Sequence, residues 1–153
     1  MTKTALSCSL REAVDEVLET MFFVQGEGPV VPGRPAEELI AAQVEFEGTP
    51  PGTLCLRISR RAAHAMAADF LGEDLGELPP ARTLEVISEL ANMICGSVLS
   101  RVESQTTFRL STPSATLEVG DLAPSPSSGA SVYQVELPGG ALSLMLRVDG
   151  AGT

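Results

Sequence analysis

Tryptophan is absent from this 153-residue chain, tyrosine occurs once and phenylalanine five times. Single-stranded nucleic acid is held on several exposed aromatic platforms, so that class of function starts without its usual parts. Basic residues are few as well: ten Lys and Arg stand against twenty Asp and Glu, a net charge of −10. A phosphate backbone or an anionic membrane repels such a surface, so neither nucleic acid nor membrane is expected as a partner. The three cysteines, Cys8, Cys55 and Cys95, lie far apart and form no CxxC. That usage fits a reducing compartment in which Cys serves as a small apolar residue. The single histidine, His64, leaves no His/Cys cluster for a metal and no G-x-S-x-G context for a Ser-His-Asp triad, and it reads as a surface residue. No apolar run approaches the roughly 20 residues of a membrane helix. The opening MTKTALSCSLREAVDE turns acidic before any long apolar stretch, so no signal peptide and a cytoplasmic location are expected.

Hydrophobic residues make up 44% of the chain and charged ones 20%, enough to bury one core without disulfides or a structural metal. The length suits one domain over residues 1–153, with a core from about residue 9 to 149 and a frayed, flexible C-terminal end after Asp149. Leu10, Val14, Val17, Leu18, Met21 and Phe22 recur at helical spacing, and Ser9 with Glu12 forms a capping box, so a first helix is expected from Leu10 to about Phe23. Gln25 to Pro35 is a Gly/Pro-rich loop whose glycines lack the G-K-[ST] of a phosphate loop. Leu39–Glu47 and Thr53–Ile58, with a turn from Gly48 to Gly52 between them, read as a hairpin. Ser59 is placed to cap a helix through Leu71 with Met66 and Phe70 inward. After a loop to Pro80 comes a long helix, about Ala81 to Glu103, with Thr83 as a local cap. Phe108–Val119 reads as a strand broken at Pro113, where an edge, bulge or bend is required. Asp121–Ser131 is a solvent loop, and Val132–Leu137 with Ala141–Val148 form a last hairpin around Gly139-Gly140. The resulting order, α-β-β-α-α-β-β-β, is α+β: a mainly antiparallel sheet covered by helices.

The long helix has two faces. At roughly 100° per residue, Leu84, Ile87, Ala91, Ile94, Val98 and Val102 fall in one stripe flanked by Leu90, which must meet the sheet. The opposite line holds Glu85, Glu89, Asn92, Gly96, Ser100 and Glu103. Glu89 and Asn92, three apart, emerge side by side. Asn is a mediocre helix former and Gly96 costs about 1 kcal/mol against Ala, so an ordinary solvated surface would use neither. A Gly there removes bulk and lets another backbone come close to Asn92. The bland alternative is a solvated Glu, a tolerated Asn and a packing accident; E-x-x-N alone is too short to decide.

At Ser88-Glu89-Leu90-Ala91-Asn92-Met93-Ile94-Cys95-Gly96 the chain resembles the CheC/CheX family of chemotaxis phosphatases. That family pairs a helix carrying E-x-x-N with a strand containing Pro about twenty residues later, here Phe108-Arg109-Leu110-Ser111-Thr112-Pro113. Glu12 to Phe23 resembles the family's first helix and Val44 to Phe70 its hairpin and following helix. CheC-type members carry two such helices and the CheX type one, with dimerisation through the sheet. Asp15-Glu16-Val17-Leu18-Glu19 echoes Ser88–Asn92 faintly, but Glu19 stands where Asn92 would, so a CheX-like single-site member is expected. One turn before Glu89, where the CheC pattern has Asp or Ser, this chain has Glu85.

The resemblance implies dephosphorylation of the phosphoaspartate of a CheY-like receiver domain. In that reading Asn92 positions the attacking water, Glu89 docks on the receiver lysine, Gly96 relieves crowding under the partner and Glu85 contributes to the rim. It also implies no cofactor of the chain's own, Mg²⁺ being supplied by the receiver, and a homodimer. Two alternatives remain at this stage: a non-catalytic adaptor for a receiver, flagellar or signalling protein, and a purely structural dimerising domain.

Overall fold

Strict alternation builds the first hairpin. In the computed structural model, which describes residues 3–31, 33–48, 51–102, 108–122 and 130–149, β1 (Glu37–Glu47) buries Ile40, Ala42, Val44 and Phe46 while Gln43, Glu45 and Glu47 stay exposed. β2 (Gly52–Ser59) answers with Leu54, Leu56 and Ile58, and the two pair antiparallel from Leu39↔Ser59 to Phe46↔Gly52. A period of two sends these residues to one side, which the helices cover. The tip of the turn, Thr49 and Pro50, lies outside the described residues.

The remaining strands complete one antiparallel sheet. β3 (Arg109–Leu110) and β4 (Ser114–Gly120) both pair with β1, separated by the expected break at Pro113. β5 (Ser131–Leu137) and β6 (Gly140–Val148) form the last hairpin, and β6 pairs with β2, giving the order β3-β1-β2-β6-β5 with β4 beside β1. The hairpin turn sits one residue earlier than the sequence suggested. Leu137 already pairs with Gly140, so Pro138 and Gly139 turn the chain, Gly139 at φ 86°, a left-handed conformation that favours glycine. β4 and β5 run in the same direction at opposite edges of the sheet. Arg57, on the helix-free face, donates to the carbonyl of Asp121 at 2.9 Å, and Leu122 is buried. The middle of the expected Asp121–Ser131 loop lies outside the described residues, as do Glu103 and the C-terminal end beyond Asp149.

Three helices close the other face: α1 (Lys3–Met21), α2 (Arg60–Leu71) and α3 (Pro80–Val102), with a short 3₁₀ turn at Leu75–Glu77. Their inner residues and the inner side of the sheet form one hydrophobic cluster, in which Leu10, Leu18, Phe22, Ile87, Leu90 and Ile94 are almost wholly buried. Burying each such side chain contributes about 1.5–3 kcal/mol. The element order and the α+β, largely antiparallel class agree with the sequence reading.

Several local expectations fail, each because a tertiary partner wins. α1 starts at Lys3, so Ser9 lies mid-helix and caps nothing; Leu6, buried like Leu10, extends the apolar stripe a further turn. Ser59 sits at the N-cap position of α2 without a capping bond. Its hydroxyl instead accepts from the Ala141 N–H at 3.0 Å and from Arg34 at 3.1 Å, joining β2 to β6. Thr83 is buried within α3 and meets His64 Nδ1 at 3.2 Å. His64 is therefore no free surface residue: its Nε2 lies 2.6 Å from the Leu75 carbonyl, so the ring ties α2 to α3 and to the 3₁₀ turn. Met66 is core as expected, but Phe70 remains 39% exposed and stacks on Phe22 at 4.8 Å.

Candidate functional site

The site residues stand or fall with the orientation of α3. Pro80 opens the helix at a position where its missing N–H costs nothing. Ile87, Leu90, Ala91, Ile94 and Val98 are buried as the stripe requires. Leu84 and Val102 are only half-buried, and Val86, Cys95 and Leu99 take their place, so the buried stripe is broader and rotated toward those residues. The shift leaves the opposite line outside the core.

α3 is also held at both ends. Near its start Thr83 meets His64 of α2. Near its end Arg101 bridges to two carboxylates of α1, Glu12 at 3.5 Å and Glu16 in closer contact, and its Nε reaches Ser97 at 3.4 Å. Neither clamp is announced by a motif. Arg101 alone suggests only a cation suited to a helix C-terminus, whereas the bridge depends on α1 packing alongside.

Between the clamps the structure presents Glu85, Glu89, Asn92 and Gly96 along one line. Glu89 is exposed, and Asn92 and Gly96 are half-buried. Among the described residues neither the Glu89 carboxylate nor the Asn92 carboxamide has a side-chain hydrogen bond or ion pair within the chain. Glu85 differs, being bridged to Arg82 at 2.9 Å. Among the described residues a Cβ added at Gly96 would meet nothing within 4 Å, so no packing between them calls for a glycine there. Cys95, next to Gly96 but on the buried side, has its thiol pushed up to about 12 by burial, which removes it as a nucleophile near neutral pH.

This arrangement is convex: a carboxylate and a carboxamide one turn apart on the outer line of a helix. Such a face cannot enclose a small substrate and strip it of water; it can enter a pocket belonging to something else. A cleft of about 700 Å³ does exist, but it lies between β4 and the N-terminal ends of α2 and α3, lined in part by Arg60, Arg61 and Leu117. Among the described residues no cluster of three or more His, Cys, Asp or Glu could hold a metal ion, and no helix is long and apolar enough to cross a membrane.

On α1 the positions that echo the pair are occupied differently. Glu16 is bridged to Arg101, and Asp15 accepts from the Tyr133 hydroxyl at 2.8 Å. Burial, helped by that carboxylate, pushes the Tyr133 phenol up to about 12. Glu19 is exposed.

Comparison with known proteins gives one family by sequence and a shared fold by structure. The sequence profile of the family described as "Chemotaxis phosphatase CheX" matches residues 40–135, more than half the chain. Among solved structures, a chemotaxis protein CheX from Desulfovibrio desulfuricans is 20% identical, with a TM-score of 0.71 over 94% of this chain and 99% of that one. CheX from Vibrio vulnificus is 16% identical, with a TM-score of 0.75 over 97% and 99%. A CheX from Borrelia burgdorferi, solved as a complex with CheY, BeF₃ and Mg²⁺, is 16% identical, with a TM-score of 0.69 over 92% and 95%. At these identities the likeness to the structures shows the fold. No curated protein sequence matches the chain.

Proposed function

The chain belongs to the CheX family of chemotaxis phosphatases, and from that premise we propose that it dephosphorylates the phosphoaspartate of a CheY-like receiver domain through Asn92 and Glu89 of α3. The observation that carries this reading is the pair itself: two polar side chains on the convex face of a clamped helix, without partners among the described residues, beside open space over Gly96. The Borrelia complex of CheX with CheY supports a receiver as the partner.

The chemistry asks little of the phosphatase. A phosphorylated receiver already surrounds its acyl phosphate with Mg²⁺ and a lysine, so the charge developing in the transition state is met there. What it lacks is a water held in line with the P–O bond. The carboxamide of Asn92 can accept from that water and donate to a phosphoryl oxygen, and it needs no titration to do so. The gain is positional, as with the water-orienting Gln of GTPases. Water attacks phosphorus, the bond to the aspartyl oxygen breaks, and the receiver keeps its carboxylate while inorganic phosphate leaves.

Glu89 has a different role. Its carboxylate pairs with the receiver lysine and fixes how deeply α3 enters, a registration contact more than a source of affinity. Gly96 leaves room for the receiver backbone. Glu85 reaches the rim only if its exposed bridge to Arg82 opens, which costs little. We place the protein in the cytoplasm as a single domain that self-associates through its sheet, with one site per chain and no cofactor of its own.

The test is the decay of a phosphorylated receiver with and without this protein. Asn92→Ala removes the acceleration while the receiver still binds, and Glu89→Ala weakens binding and turnover together. Decay rates for both variants equal to that of the unmodified protein would refute the assignment and leave a receiver-binding adaptor.

A further inference from the structure

β5 (Ser131–Leu137) ends the sheet on the side away from β4, and among the described residues β6 is the only strand it pairs with. Its outer side is nonetheless not bare. Beyond α1 the chain turns at Phe23, which holds φ 56°, a left-handed conformation that bulky residues disfavour. The Val24 N–H closes that turn on the Leu18 carbonyl at 3.0 Å. The chain then runs along the outside of β5. The Glu27 N–H donates to the Glu136 carbonyl and the Glu136 N–H to the Gly28 carbonyl, both at 2.8 Å. Gly26 lies so close to the sheet that a Cβ there would stand 2.4 Å from Cγ2 of Val135.

Glu136 holds this strap by its side chain as well. One carboxylate oxygen accepts from the Val31 N–H at 3.3 Å, and the other lies 3.6 Å from the Arg34 guanidinium. Arg34 in turn reaches Glu37 and Ser59, which ties the exit of the strap to β1 and β2. The hold is local: one main-chain bridge, with Gln25, Gly26 and Glu27 exposed.

Alternate residues of a strand direct their main-chain groups to the same side, so Val132 and Gln134 point theirs outward as Glu136 does. Pairing with another strand needs a run of such positions. With Glu136 occupied, two remain on β5. Pro29, directly after the bridge, has no N–H, so the strap is a poor template for a further strand.

We propose that residues 24–31 act as a guard strap that keeps β5 from pairing with a second copy of this chain. Association through the sheet then proceeds from one edge only and stops at a pair, whereas two open edges would allow chains without end. The limit to a pair rests on the self-association proposed above; the closure of β5 does not.

The experiment is sedimentation velocity of the full chain over a concentration series. Gly26→Val forces the strap off Val135, and Glu27→Pro removes the N–H that reaches Glu136. Each should associate one step further than the unmodified protein, at least doubling the weight-average mass at equal concentration. Glu27→Ala keeps the N–H and should match the unmodified protein. Adding Gln134→Pro, which takes an outward N–H from β5, should return either strap variant to the unmodified state. Val132→Lys, a charge on the same edge, should do likewise and serves where the proline prevents folding. Thermal melts establish that each variant folds. An unmodified protein that stays monomeric would refute association through the sheet, and the strap variants should then form dimers. Folded strap variants that associate no further than the unmodified protein would overturn the proposal, as would extra association that survives both β5 substitutions.

Discussion

α1 and α3 lie on the same face of the sheet, pack against each other and bury similar aliphatic stripes, yet they use their outer faces in opposite ways. On α1 three of the four carboxylates are spent inside the molecule, Glu12 and Glu16 on Arg101 and Asp15 on Tyr133, and only Glu19 stays exposed. On α3 the pair Glu89 and Asn92 has no partner among the described residues. The difference teaches that a polar helix face becomes a candidate site through what it fails to bind at home, not through its polarity. α1 is a support, and α3 is what it supports.

The comparison can be tested by treating the helices alike. The largest effect should be common to both. Leu10→Ala on α1 and Leu90→Ala on α3 remove fully buried side chains, and each should lower the unfolding free energy by about 3 kcal/mol in urea melts. The next should separate them. Asn92→Ala should slow receiver dephosphorylation about a hundredfold by losing the water's position, whereas Glu19→Ala at the echoed position of α1 should leave the decay rate unchanged. Equal losses would mean that both helices touch the receiver. A smaller effect lies in the clamp between them. Arg101→Gln should cost at most about 1 kcal/mol, since its partners Glu12 and Glu16 are largely exposed, and the cost should shrink as salt is added.

The last comparison is by pH. Tyr133 is held neutral on the α1 side and Cys95 on the α3 side, each with its folded value raised to about 12, from ordinary values of 10.0 and 9.0. In both cases the unfolded chain releases its proton first. Their contributions are complete below about pH 9 and are lost as pH rises toward about 12. Stability should fall over that window, and Tyr133→Phe should flatten only the upper part of it. Because Tyr133 is the chain's one tyrosine, ultraviolet difference absorbance reads its ionisation directly; a midpoint near 10 in the folded protein would contradict the half-buried, Asp15-bonded hydroxyl.

How far the sequence was readable follows from the range of the forces involved. Alternation in Gln43–Glu47, the break at Pro113 and the stripe from Ile87 to Val98 are local consequences of chain geometry, and the structure reproduces them. Line-mates of Glu89 and Asn92 could be named because helical period alone decides which residues share a side. Ser59 and Thr83 do not cap because local bonding competes with tertiary offers that no short window contains, an Arg34 guanidinium and a strand N–H for Ser59 and an imidazole for Thr83, while Ser9 is overtaken by a helix that starts at Lys3. His64 was misplaced for the same reason. The Arg101 clamp and the cleft join residues from different elements, so neither leaves a linear trace.

Gly96 places a ceiling on improving this protein by stabilising it. With empty space above its Cα, Gly96→Ala should raise the unfolding free energy by about 1 kcal/mol through helix propensity alone. Under the function proposed above, the same methyl intrudes where the receiver backbone must lie. Selection for a tougher fold and selection for signal termination then pull on one atom in opposite directions, and directed evolution for heat resistance should fix alanine there only when the receiver is left out of the screen.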